Sequence, residues 1–284
     1  MIDRRELETL GAEMSGEAMD LRARADEAFV DWALLAGLTA KLVRQRGIRV
    51  LAISGSQGSG KSTFAAMLVR ALSVEGVRAS AVSIDDFYLS KKARRALAAA
   101  VHPLLVTRGV PGTHDHAWLA KLLRHHLADE AASVPRFDKA TDDRSGEEVI
   151  DTDCLILEGW CVGVTCQEPE ALALPINALE VIEDPDGVWR HWVNAQINHY
   201  KPIWEAVEFW VHLRVPDFAQ VYEWRARQEA DLSPAHRMAD ATLKRFIQHY
   251  ERLTRHLWRS PLSQPGLKVE IDAAHDVVSV QAVD

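Results

Sequence analysis

Short apolar runs rich in valine, isoleucine and leucine alternate with longer amphipathic segments along most of the chain. An apolar run of about four to eight residues is typical of a buried strand, and apolar residues spaced by three and four are typical of a helix. Strands that alternate with helices in this way form a mainly parallel sheet that helices cover. We therefore predict an α/β fold with a doubly wound, mainly parallel five-stranded sheet and helices on both faces. The predicted strands are "IRVLAISG" (48–55), "VRASAVSID" (77–85), "DCLILEG" (153–159), "EFWVHLRVP" (208–216) and "LKVEID" (267–272).

The N-terminal segment stands apart from this alternation. Residues 1–46 read as helix without a strand, and we expect a helical extension that packs against the main domain of residues 47–284. The leucines that carry the helical spacing are Leu34, Leu35, Leu38 and Leu42.

Composition excludes several classes of protein. The formal net charge is −8, whereas a nucleic-acid binder normally presents a basic field, so no nucleic-acid partner is expected. The sequence offers neither an apolar run long enough to span a bilayer nor a secretory signal, so no membrane partner is expected. The three cysteines, Cys154, Cys161 and Cys166, are odd in number and clustered, which favours reduced thiols in the cytoplasm. The oligomeric state is left open.

One motif carries the strongest chemical signal. Residues 55–63, "GSQGSGKST", match G-x-x-x-x-G-K-[ST] and lie between a predicted strand and a predicted helix, as the motif requires. In a P-loop, backbone N–H groups surround phosphate oxygens, Lys61 reaches the β- and γ-phosphates, and the Ser62 hydroxyl can bind Mg²⁺. We therefore predict that the chain binds a nucleoside triphosphate. The predicted phosphate-binding residues are Gly55, Ser56, Gln57, Gly58, Ser59, Gly60, Lys61, Ser62 and Thr63.

Two other predicted strands end in carboxylates. Glu158 ends "CLILEG", the position of a carboxylate that acts through the metal, and Asp85 and Asp86 end "VSIDD". Strand alternation should send Asp85 and Asp86 to opposite sides, so only one of them can face a ligand. Asp85 is expected to follow the strand next to the P-loop strand, and Asp86 to hold a turn or cap a helix.

The P-loop, "SIDDFYL" (83–89) and "LILEGWCVG" (155–163) together resemble the P-loop small-molecule kinases that include uridine, phosphoribulo- and pantothenate kinases. These kinases have an acid followed two places later by an aromatic residue after the second strand. Asp85, with Phe87, matches the acceptor-activating position of that pattern.

Longer motifs make the chain similar to one branch, the D-glycerate 3-kinase family, over roughly residues 48–275. The resemblance implies a P-loop NTPase fold with a helical lid, and residues 47–284 as a P-loop kinase domain. It also implies ATP, Mg²⁺ held by Ser62, Asp85 and Glu158, and transfer to the 3-hydroxyl of D-glycerate, giving 3-phosphoglycerate. The motifs are "HPLLVTRGVPGTHD" (102–115), "PRFDKATDDR" (135–144), "EGWCVG" (158–163), "WRHWVN" (189–194), "WRARQE" (224–229) and "FIQHYERLTR" (246–255).

Cationic side chains in two of these motifs, both expected to be loops, suit a small carboxylate acceptor. A carboxylate calls for a cationic clamp, ideally a bidentate arginine. Two alternatives stay open. One is a kinase of another small acceptor, a pantothenate-like compound or a nucleoside, on whose base Phe137 and Tyr88 could stack. The other is an ATP-binding regulatory protein without acceptor turnover. The candidate acceptor-binding residues are Arg108, His114, Arg136, Lys139 and Arg144.

The lid is expected in "WRARQE", where phosphoryl transfer needs a positive charge on the far side of the γ-phosphate. Arg225 and Arg227 fall on different helical faces, so one of them at most should reach ATP, and the resemblance favours Arg225. The predicted catalytic residues are Lys61, Asp85, Glu158 and Arg225.

Overall fold

The computed structural model describes residues 30–230, 237–260 and 265–283. The helix expected over residues 1–29 lies outside the described residues, and α1 (Val30–Arg46) is the part of the extension that can be described. Helix α1 packs beside α2 (Lys61–Val74), with the rings of Trp32 and Phe64 5.6 Å apart. The division of the chain into an extension and a main domain stays a prediction.

A six-stranded sheet forms the centre of the molecule, with a separate two-stranded hairpin beside it. The strands are β1 (Val50–Gly55), β2 (Ala79–Ser83), β3 (Ala132–Asp138), β4 (Asp143–Ile150), β5 (Cys154–Gly159), β6 (Phe209–Arg214), β7 (Gly266–Ile271) and β8 (Val277–Val283). The sheet order is β2-β5-β1-β6-β7-β8, parallel except for β8, which pairs antiparallel with β7. The five predicted strands and the α/β class are confirmed. The sixth strand of the sheet, β8, was not predicted; it lies at the sheet edge and is mostly exposed.

Helices cover both faces of the sheet, and successive residues of β1 are therefore buried in two different clusters. Ile53 belongs to the same buried cluster as Phe64 of α2, and Ala52 belongs to the other cluster, with Leu119. In the described ranges, no helix is both long and apolar enough to cross a membrane. The remaining helices are α3 (Lys91–Ala100), α4 (His116–Leu127), α5 (Pro169–Leu172), α6 (Ala178–Glu183), α7 (Val188–Gln196), α8 (Lys201–Glu205), α9 (Phe218–Ala230) and α10 (Asp240–Arg259), with 3₁₀ turns at Ile84–Phe87, Pro103–Val106 and Ile197–Tyr200.

The strand order corrects one expectation about the site. Strand β5 lies between β1 and β2, so the strand that precedes Asp85 is not the neighbour of the P-loop strand. Glu158 of β5 is in register with Ile53 on one side and with Ser83 on the other. Because parallel strands end at the same edge, Glu158 lies between the P-loop and the Asp85 turn.

Strands β3 and β4 correct a second expectation, since "PRFDKATDDR" was taken as a loop. The segment forms an antiparallel hairpin with an irregularity at Arg136 and Phe137. Its tip turns at Asp142, whose φ is 58°, a conformation that aspartate tolerates better than most residues. The charged, exposed side chains of this hairpin hide its strand pattern from sequence reasoning.

Candidate active site

The P-loop is built to present backbone N–H groups. Gly58 and Gly60 have φ values of 78° and 85°, and a Cβ at Gly58 would lie 2.7 Å from the Cβ of Trp224 on α9. Helix α2 begins immediately after Gly60, which offers no side-chain cap, and its first turn carries no acidic residue. The first N–H groups of α2 are therefore available to an anion.

Polar side chains inside the loop also lack partners. The buried Ser56 Oγ, Gln57 Oε1 and Ser59 Oγ have no hydrogen-bond partner among the described residues. Buried polar atoms are normally satisfied, so these groups point to a polar ligand or to water in the loop.

Lys61 and Ser62 open α2 at the edge of this loop. Lys61 Nζ donates to the Ser56 carbonyl at 2.8 Å, and Ser62 Oγ donates to Glu158 Oε1 at 3.0 Å. Burial lowers the pKa of Lys61, although the carboxylates of Glu158 and Asp85 oppose that shift. A hydroxyl and a carboxylate this close are oxygen ligands of the kind Mg²⁺ prefers.

Asp85 and Asp86 lie in the 3₁₀ turn after β2, because the strand already ends at Ser83. Strand alternation is therefore not what separates the two carboxylates. Asp85 accepts from the Tyr88 hydroxyl at 2.8 Å and from Lys139 Nζ at 2.7 Å. Asp86 instead accepts from Arg136 at 2.9 Å and from the Phe137 N–H at 3.3 Å, and so fastens the hairpin to the turn.

The environment of Asp85 changes the pKa of two groups. Burial pushes the pKa of Asp85 upward, but the charge and hydrogen bond of Lys139, together with the Tyr88 hydroxyl, outweigh it and hold the pKa below its ordinary value. Burial, and then the negative charge of Asp85, raise the pKa of Tyr88 well above its ordinary value. Asp85 is thus ionised and Tyr88 keeps its proton at neutral pH.

A cavity of about 370 Å³ brings most of the predicted residues together. The phosphate-side residues Lys61, Ser62 and Glu158 line it together with Asp85. Its lining also contains side chains that the sequence did not single out, above all the aromatic residues around its wall. The full lining is Gln57, Gly58, Lys61, Ser62, Asp85, Tyr88, Arg108, Lys139, Glu158, Gly159, Trp160, Arg225, Gln228, Phe246 and Tyr250.

Arg108 and Lys139 are the two acceptor candidates in this lining. Arg108 forms an ion pair with Asp142 at the hairpin tip, and its guanidinium lies 5.5 Å from the centre of the Phe137 ring. Asp142 is shared with the buried Arg94, so it keeps a cationic partner when Arg108 turns away. Sequence reasoning missed Asp142 and Arg94, because nothing local to either residue signals the pairing.

The structure does not bring the other three acceptor candidates into the cavity lining. His114 is 2% exposed, stacks on Tyr88 with ring centres 4.7 Å apart, and lies 2.9 Å from the Tyr200 hydroxyl. Burial lowers the pKa of His114 to about 4, so the ring is neutral at pH 7. The neutral His114 ring packs against the Tyr88 ring and helps to hold it in place.

Arg136 and Arg144 anchor the hairpin. Arg136 pairs with Asp86 and Glu148, while Arg144 pairs with Asp115 at 3.0 Å and donates to the Tyr88 carbonyl at 3.0 Å. Both arginines therefore affect the cavity indirectly, because they hold the hairpin in place beside it.

Helix α9 carries the lid candidates. Arg225 lines the cavity and pairs with Glu229, a buried carboxylate one turn further along the helix. Arg227 is exposed and does not line the cavity.

A second cavity of about 370 Å³ adjoins the other side of the P-loop and shares Gly58 and Gln228 with the first. His275, from the turn between β7 and β8, donates from Nε2 to the Gly58 carbonyl at 2.7 Å and stacks on Trp224 with ring centres 4.0 Å apart. No local pattern indicates this contact, because the turn precedes a strand that was not predicted.

A third cavity, of about 380 Å³, lies away from the P-loop. Trp204, Trp210 and His212 are part of its mostly apolar wall, and no predicted site residue lines it.

Comparison with known proteins decides the family. No family model matches the sequence. The chain is 33% identical over 224 residues to the uncharacterized kinase mug58 of Schizosaccharomyces pombe, across 71% of this chain and 78% of that protein. It is also 24% identical over 222 residues to the chloroplastic D-glycerate 3-kinase of Arabidopsis thaliana, of which it spans 46%. The chain belongs to the same family of P-loop kinases as mug58, and the D-glycerate 3-kinase is a more distant homologue.

The fold of this kinase agrees with that assignment. The solved structure of a D-glycerate 3-kinase from Cryptococcus neoformans superposes with a TM-score of 0.75, covering 88% of this chain and 99% of that one at 23% identity. At that identity the likeness concerns the fold alone. The family resemblance predicted from the sequence motifs is confirmed.

Proposed function

We propose that this kinase transfers the γ-phosphoryl group of ATP to the 3-hydroxyl of D-glycerate, giving 3-phosphoglycerate. The observation that carries the proposal is the joint lining of one cavity. Lys61 with other P-loop residues, Asp85, and the cations Arg108 and Lys139 all line it. A small hydroxy acid needs these three kinds of group within reach of one another.

The nucleotide would occupy the P-loop and the second cavity. The α2 N–H groups and Lys61 would hold the phosphates, and the nucleoside would extend past Gly60 and Thr63 into the space beside His275. Arg225, on α9, is the candidate to neutralise charge on the γ-phosphate.

Mg²⁺ fits the oxygen atoms at the junction of α2 and β5. Ser62 and Glu158 would hold it together with phosphate oxygens and water, whereas both oxygens of Asp85, the third predicted ligand, already accept hydrogen bonds from Tyr88 and Lys139, and we assign Asp85 to the acceptor hydroxyl instead. When bound, Mg²⁺ neutralises charge on the phosphates. Ser62 and Glu158 already lie within hydrogen-bond distance of each other, so neither needs a large rearrangement to share an ion.

Asp85 would accept the proton of the 3-hydroxyl as its oxygen bonds to the γ-phosphorus and the bond to ADP breaks. Arg108 and Lys139 would bind the carboxylate of the acceptor and orient the hydroxyl. Tyr88 would hold Asp85 in place through the 2.8 Å hydrogen bond. The cytoplasmic location predicted from the free thiols stays part of this proposal.

The aromatic wall of the cavity favours one alternative, an acceptor with a planar part such as a nucleoside. Trp160 and Tyr250 belong to that wall, but each already donates to a backbone carbonyl, of Gly109 and Arg108 respectively. These side chains are therefore better suited to shaping the cavity than to hydrogen bonding with a nucleobase.

The test is release of ADP from ATP and Mg²⁺ with a panel of acceptors: D-glycerate, L-glycerate, uridine, pantothenate and ribulose 5-phosphate. We expect D-glycerate to stimulate turnover most. The Lys61→Ala variant is the control, because it lacks the phosphate-binding lysine. A clear preference for uridine would favour the planar acceptor, and no stimulation by any compound would favour an ATP-binding regulatory protein.

A further inference from the structure

The ion pair between Lys139 and Asp85 places a cation on the carboxylate that the proposed reaction needs. Lys139 Nζ lies 2.7 Å from Asp85 Oδ2, and the Tyr88 hydroxyl occupies Oδ1. Both oxygens of Asp85 therefore accept hydrogen bonds, one of them charge-assisted. In this arrangement the negative charge of Asp85 is compensated, and Oδ2 is turned toward the ammonium group.

The hairpin that carries Lys139 is anchored on several sides. Asp86 accepts from Arg136 and from the Phe137 N–H near the end of β3, and Asp143, the first residue of β4, accepts from the Lys91 N–H at 3.1 Å. The tip is closed locally by Asp138, which accepts from the Ala140 N–H at 2.8 Å and from the Thr141 hydroxyl at 3.0 Å. The backbone of Lys139 is thus fixed over the cavity.

The side chain of Lys139 is held less firmly than its backbone. It is 63% exposed, whereas the Asp85 side chain is 24% exposed. The four-carbon stem of a lysine can swing while its backbone stays in place, and an exposed ion pair exchanges partners readily. The ammonium group can therefore leave Asp85 without any movement of the hairpin.

An anionic acceptor offers Lys139 a second carboxylate. A short hydroxy acid that enters this cavity brings its own negative charge close to both Lys139 and Arg108. An uncharged polyol of the same size brings none. Only the anion can exchange partners with the Asp85–Lys139 pair.

We propose that Lys139 gates Asp85: it occupies the acceptor-activating carboxylate until an anionic acceptor draws it away, so that ATP turnover is coupled to acceptors that carry a negative charge near the reacting hydroxyl. This inference rests on the proposed function and adds to it a reason why the acceptor should be an anion. Without an acceptor, Asp85 is not free to take a proton from water, and ATP hydrolysis is suppressed. With the acceptor carboxylate on Lys139, the proton of the acceptor hydroxyl passes to Asp85 as the new O–P bond forms and ADP leaves.

The experiment compares the wild-type kinase with Lys139→Met, Lys139→Arg, and Lys92→Met, which removes an exposed lysine on α3 outside the cavity lining. Two quantities are measured at saturating ATP and Mg²⁺: ADP release without an acceptor, and the ratio of kcat/KM for D-glycerate to that for glycerol. A positioned base contributes about 10²–10⁴ in rate, so release of even part of that contribution should be visible.

We expect Lys139→Met to raise acceptor-free ADP release about tenfold and to lower the glycerate-to-glycerol ratio about tenfold or more. Lys139→Arg, which keeps the charge, should change both quantities less than Lys139→Met does, and Lys92→Met should stay near the wild type. The gain in ADP release should vanish in the double variant Asp85→Asn/Lys139→Met, because it depends on Asp85. A merely structural role of Lys139 would lower the acceptor-free rate.

Acceptor-free release at or below the wild-type rate in Lys139→Met overturns the gate. That arm requires no acceptor, so it is decisive even if D-glycerate is not the substrate. A wild-type kinase that ignores D-glycerate but phosphorylates another anion contradicts the proposed function and leaves the gate standing. A glycerate-to-glycerol ratio that is unchanged in Lys139→Met contradicts the gate and the carboxylate contact of Lys139, while phosphorylation of D-glycerate itself stands.

Discussion

Asp85 and Asp86 are adjacent, yet replacing Asp85 by asparagine should lower kcat, whereas replacing Asp86 by asparagine should lower the stability of the fold. Asp85→Asn keeps the shape and the contact with Tyr88 but removes the proton acceptor facing the cavity. A positioned base contributes about 10²–10⁴ in rate, so we expect kcat to fall by that factor while ATP still binds. Asp85→Asn also removes the anionic partner of Lys139, which the exposed lysine can replace with water.

Asp86→Asn should act on stability instead. Its two hydrogen bonds, to Arg136 at 2.9 Å and to the Phe137 N–H at 3.3 Å, join the hairpin to the turn. A charged hydrogen bond contributes about 1.5–3 kcal/mol. Arg136 is partly exposed and keeps Glu148 as a partner, so the net loss should be nearer 1 kcal/mol, or roughly 2–4 °C in the melting temperature.

The assay is a paired one. Both variants are purified alongside the wild type and compared for ATP binding, kcat and melting temperature. If Asp86→Asn abolished turnover and Asp85→Asn left it intact, the assignment of the reacting carboxylate would be refuted.

Three further substitutions follow from the same geometry. Lys61→Ala should abolish turnover with an unchanged melting temperature, because the lysine acts on phosphate; near-normal ADP release would contradict the P-loop assignment. Arg108→Ala should raise KM for D-glycerate about tenfold or more and leave KM for ATP unchanged, which steady-state kinetics checks; normal glycerate kinetics would move the carboxylate clamp to Lys139. Arg136→Ala should lower the melting temperature and change KM for D-glycerate little, since its partners are Asp86 and Glu148; a large KM effect without loss of stability would place it in the cavity after all.

Much of the phosphate side of the site could be predicted from the sequence, because it depends on short local patterns. A strand, a glycine-rich turn and a helix fix where Lys61 and Ser62 lie, whatever the rest of the fold does. Glu158 could be predicted for the same reason, as a carboxylate at the end of a buried strand. Ser62 and Glu158 lie within hydrogen-bond distance, at 3.0 Å, because β1, which leads into the P-loop, and β5 are parallel and end at the same edge of the sheet.

The acceptor side was less predictable, because it depends on pairing between distant segments. The position of β5 between β1 and β2 is set by crossovers that no local pattern records. Sequence reasoning found the cations of the hairpin but could not tell that Arg136 and Arg144 meet carboxylates outside the cavity while Lys139 meets Asp85. Exposed, charged strands carry too little apolar alternation to fix which side chains face inward.

The acceptor panel tests whether this kinase phosphorylates D-glycerate. ADP release from ATP and Mg²⁺ is measured for the wild-type kinase with each of the five compounds, and the phosphorylated product is identified. We predict that D-glycerate gives the highest kcat/KM and yields 3-phosphoglycerate, and that Lys61→Ala is inactive. Turnover stimulated by uridine or pantothenate but not by D-glycerate would contradict it.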